Sequence, residues 1–186
     1  ISFNLRKKIN SLINREIRHA KAGKQAEIFI KINSLVDEEI IEKLYAASKA
    51  GVKIKLIVRG ICSLIPQQAI ISENIEAISI IDKFLEHSRI FIFHNDSLKE
   101  TFIGSADLMA RNLDYRIEVL LPILDEKLKK QLLQIMELQW QDNVKARIFN
   151  ADQNNSFKHR TPQEKLIRSQ DAVYDYWKNY NEKKKR

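Results

Sequence analysis

The chain has 186 residues, is 44% apolar and carries a formal net charge of +8. That size suits one compact α/β domain with short appendages, and no apolar stretch approaches the roughly 18 residues of a membrane span. A single cysteine, Cys62, excludes an internal disulfide and lacks the partners of a zinc site, which suits a reducing compartment.

Residues 3–22 place Leu5, Ile9, Leu12, Ile13 and Ile17 at helical spacing, and Gly23 is a natural stop. The apolar run 26–32 predicts a buried strand. A helix follows, with Asn33 or Ser34 as its cap and Ile40, Ile41, Leu44 and Ala47 as its inner face; Gly51 ends it. Residues 52–60 form the next strand, which makes a βαβ unit with parallel strands. Residues 61–74, with Pro66, read as a loop, and 75–81 as a third strand. Residues 82–88 predict a short helix or turn. Residues 89–93 and 100–105 read as antiparallel neighbours joined by a polar turn, and 115–123 as another strand. Residues 125–143 predict a helix opened by Asp125 and Glu126, with Leu128, Leu132, Ile135, Met136 and Trp140 as its buried stripe. Beyond it the sequence is polar as far as Thr161-Pro162, where a last helix over about 162–180 begins with proline in its first turn. The fold class is α/β with a mixed β-sheet flanked by helices.

The polar residues of interest fall where strands end, which is where open α/β sheets bind ligands. Arg59 closes the second strand; His87 and Arg89 open the strand at 89; Gly104-Ser105 closes the strand before it reaches Asp107; Arg111 and Arg116 precede the following one. The planar guanidinium suits phosphate oxygens, so Arg59, Arg89, Arg111 and Arg116 are candidates to converge on an anion, with Ser105 beside them. Each arginine equally has carboxylates within reach in the sequence, namely Glu86, Asp107, Asp114 and Glu118. Neither common Gly-rich nucleotide cradle occurs, and aspartates at metal-site spacing are missing, so no metal ligand is assigned. His19, His94 and His159 have no recognisable setting.

The positive charge invites a nucleic-acid reading. Its distribution argues against one. Residues 1–22 carry six Lys/Arg and one acid, and residues 143–186 carry eleven and five, whereas the middle of the chain has fifteen against eighteen. The basicity lies at the ends, the terminal EKKKR reads as a solvated tail, and no aromatic stacking set lies near the arginines.

The order His87-x-Arg89, a strand, then Gly104-Ser105-x-Asp107 resembles the second half-motif of the phospholipase D superfamily, which runs histidine-x-lysine, a later aspartate, then glycine-serine-x-asparagine. Here arginine stands for the lysine, His94 occupies the aspartate position and Asp107 the asparagine position. One branch is closer. The blocks "KINSLVDEEIIEKLYAASKAGVKIKLIVRGICSL", "SENI", "FLEHSRIFIF" and "GSADLMARNLDYRIEVLLPI", spread over about residues 26–148, are similar to the C-terminal domain of bacterial polyphosphate kinases of the phosphohistidine type. The resemblance implies a phospholipase-D-like C-terminal catalytic domain over 1–150 with a basic helical extension over 151–186. It implies reversible transfer of the ATP γ-phosphate to polyphosphate through a phosphohistidine in a preceding domain, with the ligands of Mg²⁺ there as well. It maps ATP contacts onto Arg59 and His87, with His87 the candidate catalytic acid or base. The implied partners are ATP or ADP, polyphosphate, the remaining domains of the same chain and further copies in a homo-oligomer; nucleic acid is not expected. The start at Ile1 reads as a cut inside a longer protein, alone expected to be inactive. A cytoplasmic location is implied, with peripheral membrane association left open. The other readings are a phosphodiesterase half or a polyanion- or nucleic-acid-binding module.

Overall fold

The computed structural model describes residues 4–184; Lys185 and Arg186 of the basic tail lie outside the described residues. Four α-helices, α1 (Leu5–Lys21), α2 (Glu38–Lys49), α3 (Glu126–Trp140) and α4 (Ser169–Lys184), surround strands β1 (Glu27–Ile32), β2 (Lys53–Val58), β3 (Ile75–Ile80), β4 (Arg89–Phe93), β5 (Glu100–Gly104), β6 (Leu120–Ile123) and β7 (Ala146–Phe149). The strands form one seven-stranded sheet in the order β6-β5-β4-β1-β2-β3-β7. β1, β2 and β3 are parallel; β4, β5, β6 and β7 pair antiparallel with their neighbours.

β1 lies at the centre and is buried on both faces, which is why its sequence is almost continuously apolar. Ile28, Ile30 and Ile32 point to the face covered by α1 and α2, where Ile9, Ile13, Ile40 and Leu44 complete the larger core. Phe29, with Ile57, Ile90 and Ile92 from the neighbouring strands, points to the other face, covered by Met136 and Trp140 of α3. Successive strand residues face opposite sides, so one strand feeds two cores.

The sequence pattern and the structure differ in several places. The cap of α2 is Asp37, which accepts from the Ile40 N–H at 3.1 Å. Asn33 and Ser34 do not cap it, because the chain stays extended to Leu35, which bridges to Cys62 and Leu108. Residues 82–88 form a bend, with neither helix nor strand. β6 begins at Leu120: residues 111–115 wind into a π-helical turn, and the Val119 N–H is taken by the Ser105 hydroxyl. On α3, Leu128 is exposed. Helix α4 starts at Ser169, because the preceding residues are held extended: Asn143 exchanges hydrogen bonds with Ile167 and donates to the Lys165 carbonyl. β7, which the sequence pattern did not predict, adds to β3 at the sheet edge.

Candidate functional site

The topology brings one set of polar residues to one edge of the sheet. The parallel strands β1 and β2 end at Ile32 and Val58, so Asn33 and Arg59 emerge there. β4 runs antiparallel to β1, so its first residue, Arg89, starts at that same edge, and β5, antiparallel to β4, ends there at Gly104. His87, Ser105 and Asp107 flank these strand ends.

Asn33 is the centre of the arrangement. It is buried, and its side-chain oxygen accepts from Arg59 Nε at 3.0 Å and Nη2 at 2.8 Å. Its amide nitrogen and backbone N–H donate to Asp107 Oδ1 at 3.2 and 2.8 Å. Its carbonyl accepts from Gly60 N at 2.7 Å, an approach so close that a Cβ on Gly60 would lie 2.8 Å from that oxygen. Glycine after Arg59 therefore lets β2 end tightly against β1, with the guanidinium aimed along the sheet edge.

Arg59 Nη2 also lies 3.4 Å from His87 Nδ1. Guanidinium only donates, so in this contact Nδ1 is the acceptor and Nε2 carries the ring hydrogen. His87 is exposed and Arg59 half-buried, and among the described residues Arg59 Nη1 makes no hydrogen bond. The pair offers a cation and an imidazole N–H to an anion arriving from solvent.

Arg89 is turned differently. Its Nη2 and Nε donate to Asp107 at 3.0 and 3.3 Å, and its Nη1 donates to the His87 carbonyl at 2.9 Å. Burial alone would push the Asp107 carboxyl up, but Arg89 and the Asn33 N–H groups outweigh it and hold the group below the usual carboxylate range. Arg89 thus fixes the backbone beside His87 and is neutralised by Asp107. The Ser105 hydroxyl donates to Glu118, whose other oxygen accepts from Asn112 Nδ2 at 2.6 Å. Arg111 opens the π-helical turn and Arg116 follows it; both are exposed, and among the described residues their side chains make no hydrogen bond or ion pair. Arg59, His87, Arg89 and Asp107 are joined by direct hydrogen bonds; among the described residues no side-chain hydrogen bond or ion pair links Arg111 or Arg116 to them.

Two features went unnoticed in the sequence. One is Asn33, read as a helix cap. The other is an ion pair beneath His87: Lys31, buried in β1, bonds Glu86, which also accepts from Gln139 of α3. Burial lowers the affinity of the Lys31 ammonium for its proton, and Glu86 opposes that. A lysine inside the apolar run of β1 was the available signal.

A family model described as polyphosphate kinase C-terminal domain 2 matches residues 1–170. The chain is 52% identical over 176 residues to a polyphosphate kinase of Vibrio vulnificus, covering 95% of this chain and 25% of that protein. The crystal structure of a polyphosphate kinase from Porphyromonas gingivalis superposes with a TM-score of 0.93 at 46% identity, over 97% of this chain and 28% of that one. Nuc from Salmonella typhimurium, a phospholipase D family member, shares the fold at 17% identity and a TM-score of 0.51, over 73% of this chain and 88% of its own. The chain spans about a quarter of the length of the curated relatives it matches.

Proposed function

The chain belongs to the polyphosphate kinase C-terminal domain 2 family, and from that premise we propose that it supplies one wall of the active site of a polyphosphate kinase. The supporting observation is the pairing of Arg59 with His87, 3.4 Å apart, at the carboxyl ends of the parallel strands. In the proposed reaction a histidine nitrogen of another domain attacks the γ-phosphorus of ATP. A P–N bond forms, the bond to the bridging oxygen breaks, and ADP leaves. A terminal oxygen of polyphosphate then attacks the same phosphorus, breaking the P–N bond and lengthening the polymer by one unit. Negative charge builds on the bridging oxygen as ADP leaves, and the transferred phosphoryl group carries anionic oxygens through both steps. Arg59 neutralises this charge with its guanidinium, and the His87 Nε2–H donates to the leaving oxygen. Arg111 and Arg116, exposed on the π-helical turn, are assigned to the polyphosphate chain.

Mg²⁺ is implied by this chemistry, and the residues present do not fit it. Asp107 is saturated by Arg89 and Asn33, Glu118 by Ser105 and Asn112, and the described residues contain no cluster of three His, Cys, Asp or Glu side chains able to hold a metal. The metal's ligands are therefore assigned to the remainder of the protein, as is the phosphorylated histidine. No helix among the described residues is long and apolar enough to cross a membrane.

The test uses the complete protein and ATP-dependent polyphosphate synthesis. His87→Ala is expected to lose about 10²–10⁴-fold in turnover, the usual contribution of an acid-base group. His87→Gln keeps a donor but cannot shuttle a proton: activity near that of the parent assigns His87 to ATP contact, and a loss equal to alanine's assigns it to proton transfer. Parent-like turnover in both His87→Ala and Arg59→Ala would refute the proposed wall. Trapped phosphate on His87 itself would refute the division of labour between domains.

A further inference from the structure

The segment that carries His87 has no structure of its own. Residues 82–88 lie outside every helix and strand, and among the described residues they make no backbone–backbone hydrogen bond. Their position is set by side chains, mostly from the beginning of α4. Arg168 grips Asp82 with two parallel bonds, Nε to Oδ2 at 2.7 Å and Nη2 to Oδ1 at 2.5 Å, and the Asp82 side chain is almost fully buried. Gln170 accepts from the Phe84 N–H at 3.0 Å and donates to the Phe84 carbonyl at 2.8 Å, pairing with that residue as a neighbouring strand would. The same Gln170 nitrogen lies 3.1 Å from Glu86 Oε1, and the other Glu86 oxygen accepts from Lys31 and Gln139. Glu86 is the residue before His87.

The gripping residues are themselves fixed. The Ser169 N–H donates to Asp142 Oδ2 at 2.7 Å, and Ser169 is fully buried. The same Asp142 accepts from the N–H groups of residues 144, 145 and 146 and so locks the start of β7. Further along α4, Tyr176, Trp177 and Tyr180 pack ring against ring, and Lys127 of α3 lies over Tyr180. A support from the start of α4 thus reaches the segment one residue short of the histidine, in addition to Lys31 and Gln139 at Glu86 and Arg89 at the His87 carbonyl.

We infer that Arg168 and Gln170 are positioning residues: they form a clasp that holds segment 82–86 and, through Glu86, sets the imidazole of His87 against Arg59. The inference rests on the proposed role of His87 and assigns a task to the carboxyl-terminal extension. A misplacement of about 1 Å at a reacting group can cost about 10²-fold. Loosening the clasp should therefore cost activity although neither residue touches a substrate.

The experiment compares Gln170→Ala, Arg168→Ala and His87→Ala in the complete protein, singly and with each clasp change combined with His87→Ala. Each clasp variant should lower kcat/KM for ATP about 10–100-fold. Added to His87→Ala it should lower it no further, because the clasp acts through the missing imidazole. Multiplying losses would show a merely structural role and overturn the inference. Gln170→Glu guards against a variant that fails to fold. It keeps the acceptor for the Phe84 N–H but sets a carboxylate against the Phe84 carbonyl and Glu86, so it should be at least as impaired as alanine; a parent-like Gln170→Glu overturns the clasp. Hydrogen exchange separates the two readings. Faster exchange at Phe84 in Gln170→Ala supports the clasp and unchanged protection refutes it, whatever the activities do, whereas a fully active His87→Ala refutes the proposed site.

Discussion

Removing the Asp107 carboxylate should be the most damaging single change at the sheet edge. Asp107 and Arg89 side chains are about one-tenth exposed, and they share bonds of 3.0 and 3.3 Å. Asp107 Oδ1 also accepts from the Asn33 N–H, the Asn33 amide and the Ser34 N–H at 2.8, 3.2 and 3.3 Å. Asp107→Ala strands a guanidinium and several amide donors in a poorly hydrated place. Breaking a buried pair by deleting one partner costs about 3–5 kcal/mol. For a domain of this size about 2–4 °C of Tm accompanies each kcal/mol, so a fall of about 6–20 °C is expected by calorimetry of the chain. Asp107→Asn keeps an oxygen for Asn33 but turns an amide N–H₂ toward Arg89, and should lose about half as much. The pH dependence gives a second check. The Asp107 carboxyl is held below its ordinary value in the folded chain. Its contribution is therefore fully present above the unfolded value of about 4 and is lost as pH falls through the depressed folded value. The gap between parent and Asp107→Ala should be widest near neutrality and narrow under acid. A Tm within about 2 °C of the parent at neutral pH would sink the argument that this pair holds the edge together.

Two further outcomes follow from close contacts elsewhere. Gly104→Ala would place a Cβ 2.8 Å from the Val119 carbonyl and 3.3 Å from a Leu120 methyl, so urea unfolding should show a loss of about 1–3 kcal/mol. The Cys62 thiol is pushed up to about 11 by burial, so at neutral pH iodoacetamide should label it slowly in the folded chain and far faster in denaturant; equal rates would contradict its burial.

Most of the fold was legible because the central strands and the first three helices carry strong periodicity. β1 is apolar apart from Glu27 and Lys31, β2 apart from Lys53 and Lys55, and α1 repeats apolar residues at helical spacing. What escaped depends on contacts remote in sequence. β7 is four residues long, too short to show alternation, and its partner β3 lies about 70 residues earlier. The start of α4 is set by Asp142 and Asn143 across the chain, so proline at 162 opens no helix. At the site, strand ends pointed to Arg59, His87 and Arg89, because strand order dictates which ends share an edge. The division of labour among the arginines was not legible: it depends on the folded geometry, in which Arg59 faces His87 while Arg89 is absorbed by Asp107.

That absorption bears on the departures from the phospholipase D half-motif. Arginine stands where the motif has lysine, and aspartate where it has asparagine. In the structure these two residues bind each other, Arg89 Nη2 to Asp107 Oδ2 at 3.0 Å. A lysine opposite an asparagine would leave one positive charge free to meet a phosphodiester. The arginine–aspartate pair has no net charge, and the third guanidinium nitrogen donates to the His87 carbonyl. The two departures therefore compensate one another, and of the two arginines beside His87 the one without a carboxylate partner is Arg59, just past β2. His94, at the motif's aspartate position, stands at the far end of β4, where its N–H donates to the Glu27 carbonyl and its Nδ1 accepts from Ser97. It cannot restore a carboxylate to this edge. The departures thus leave this strand end without the free positive charge that the motif's lysine would supply.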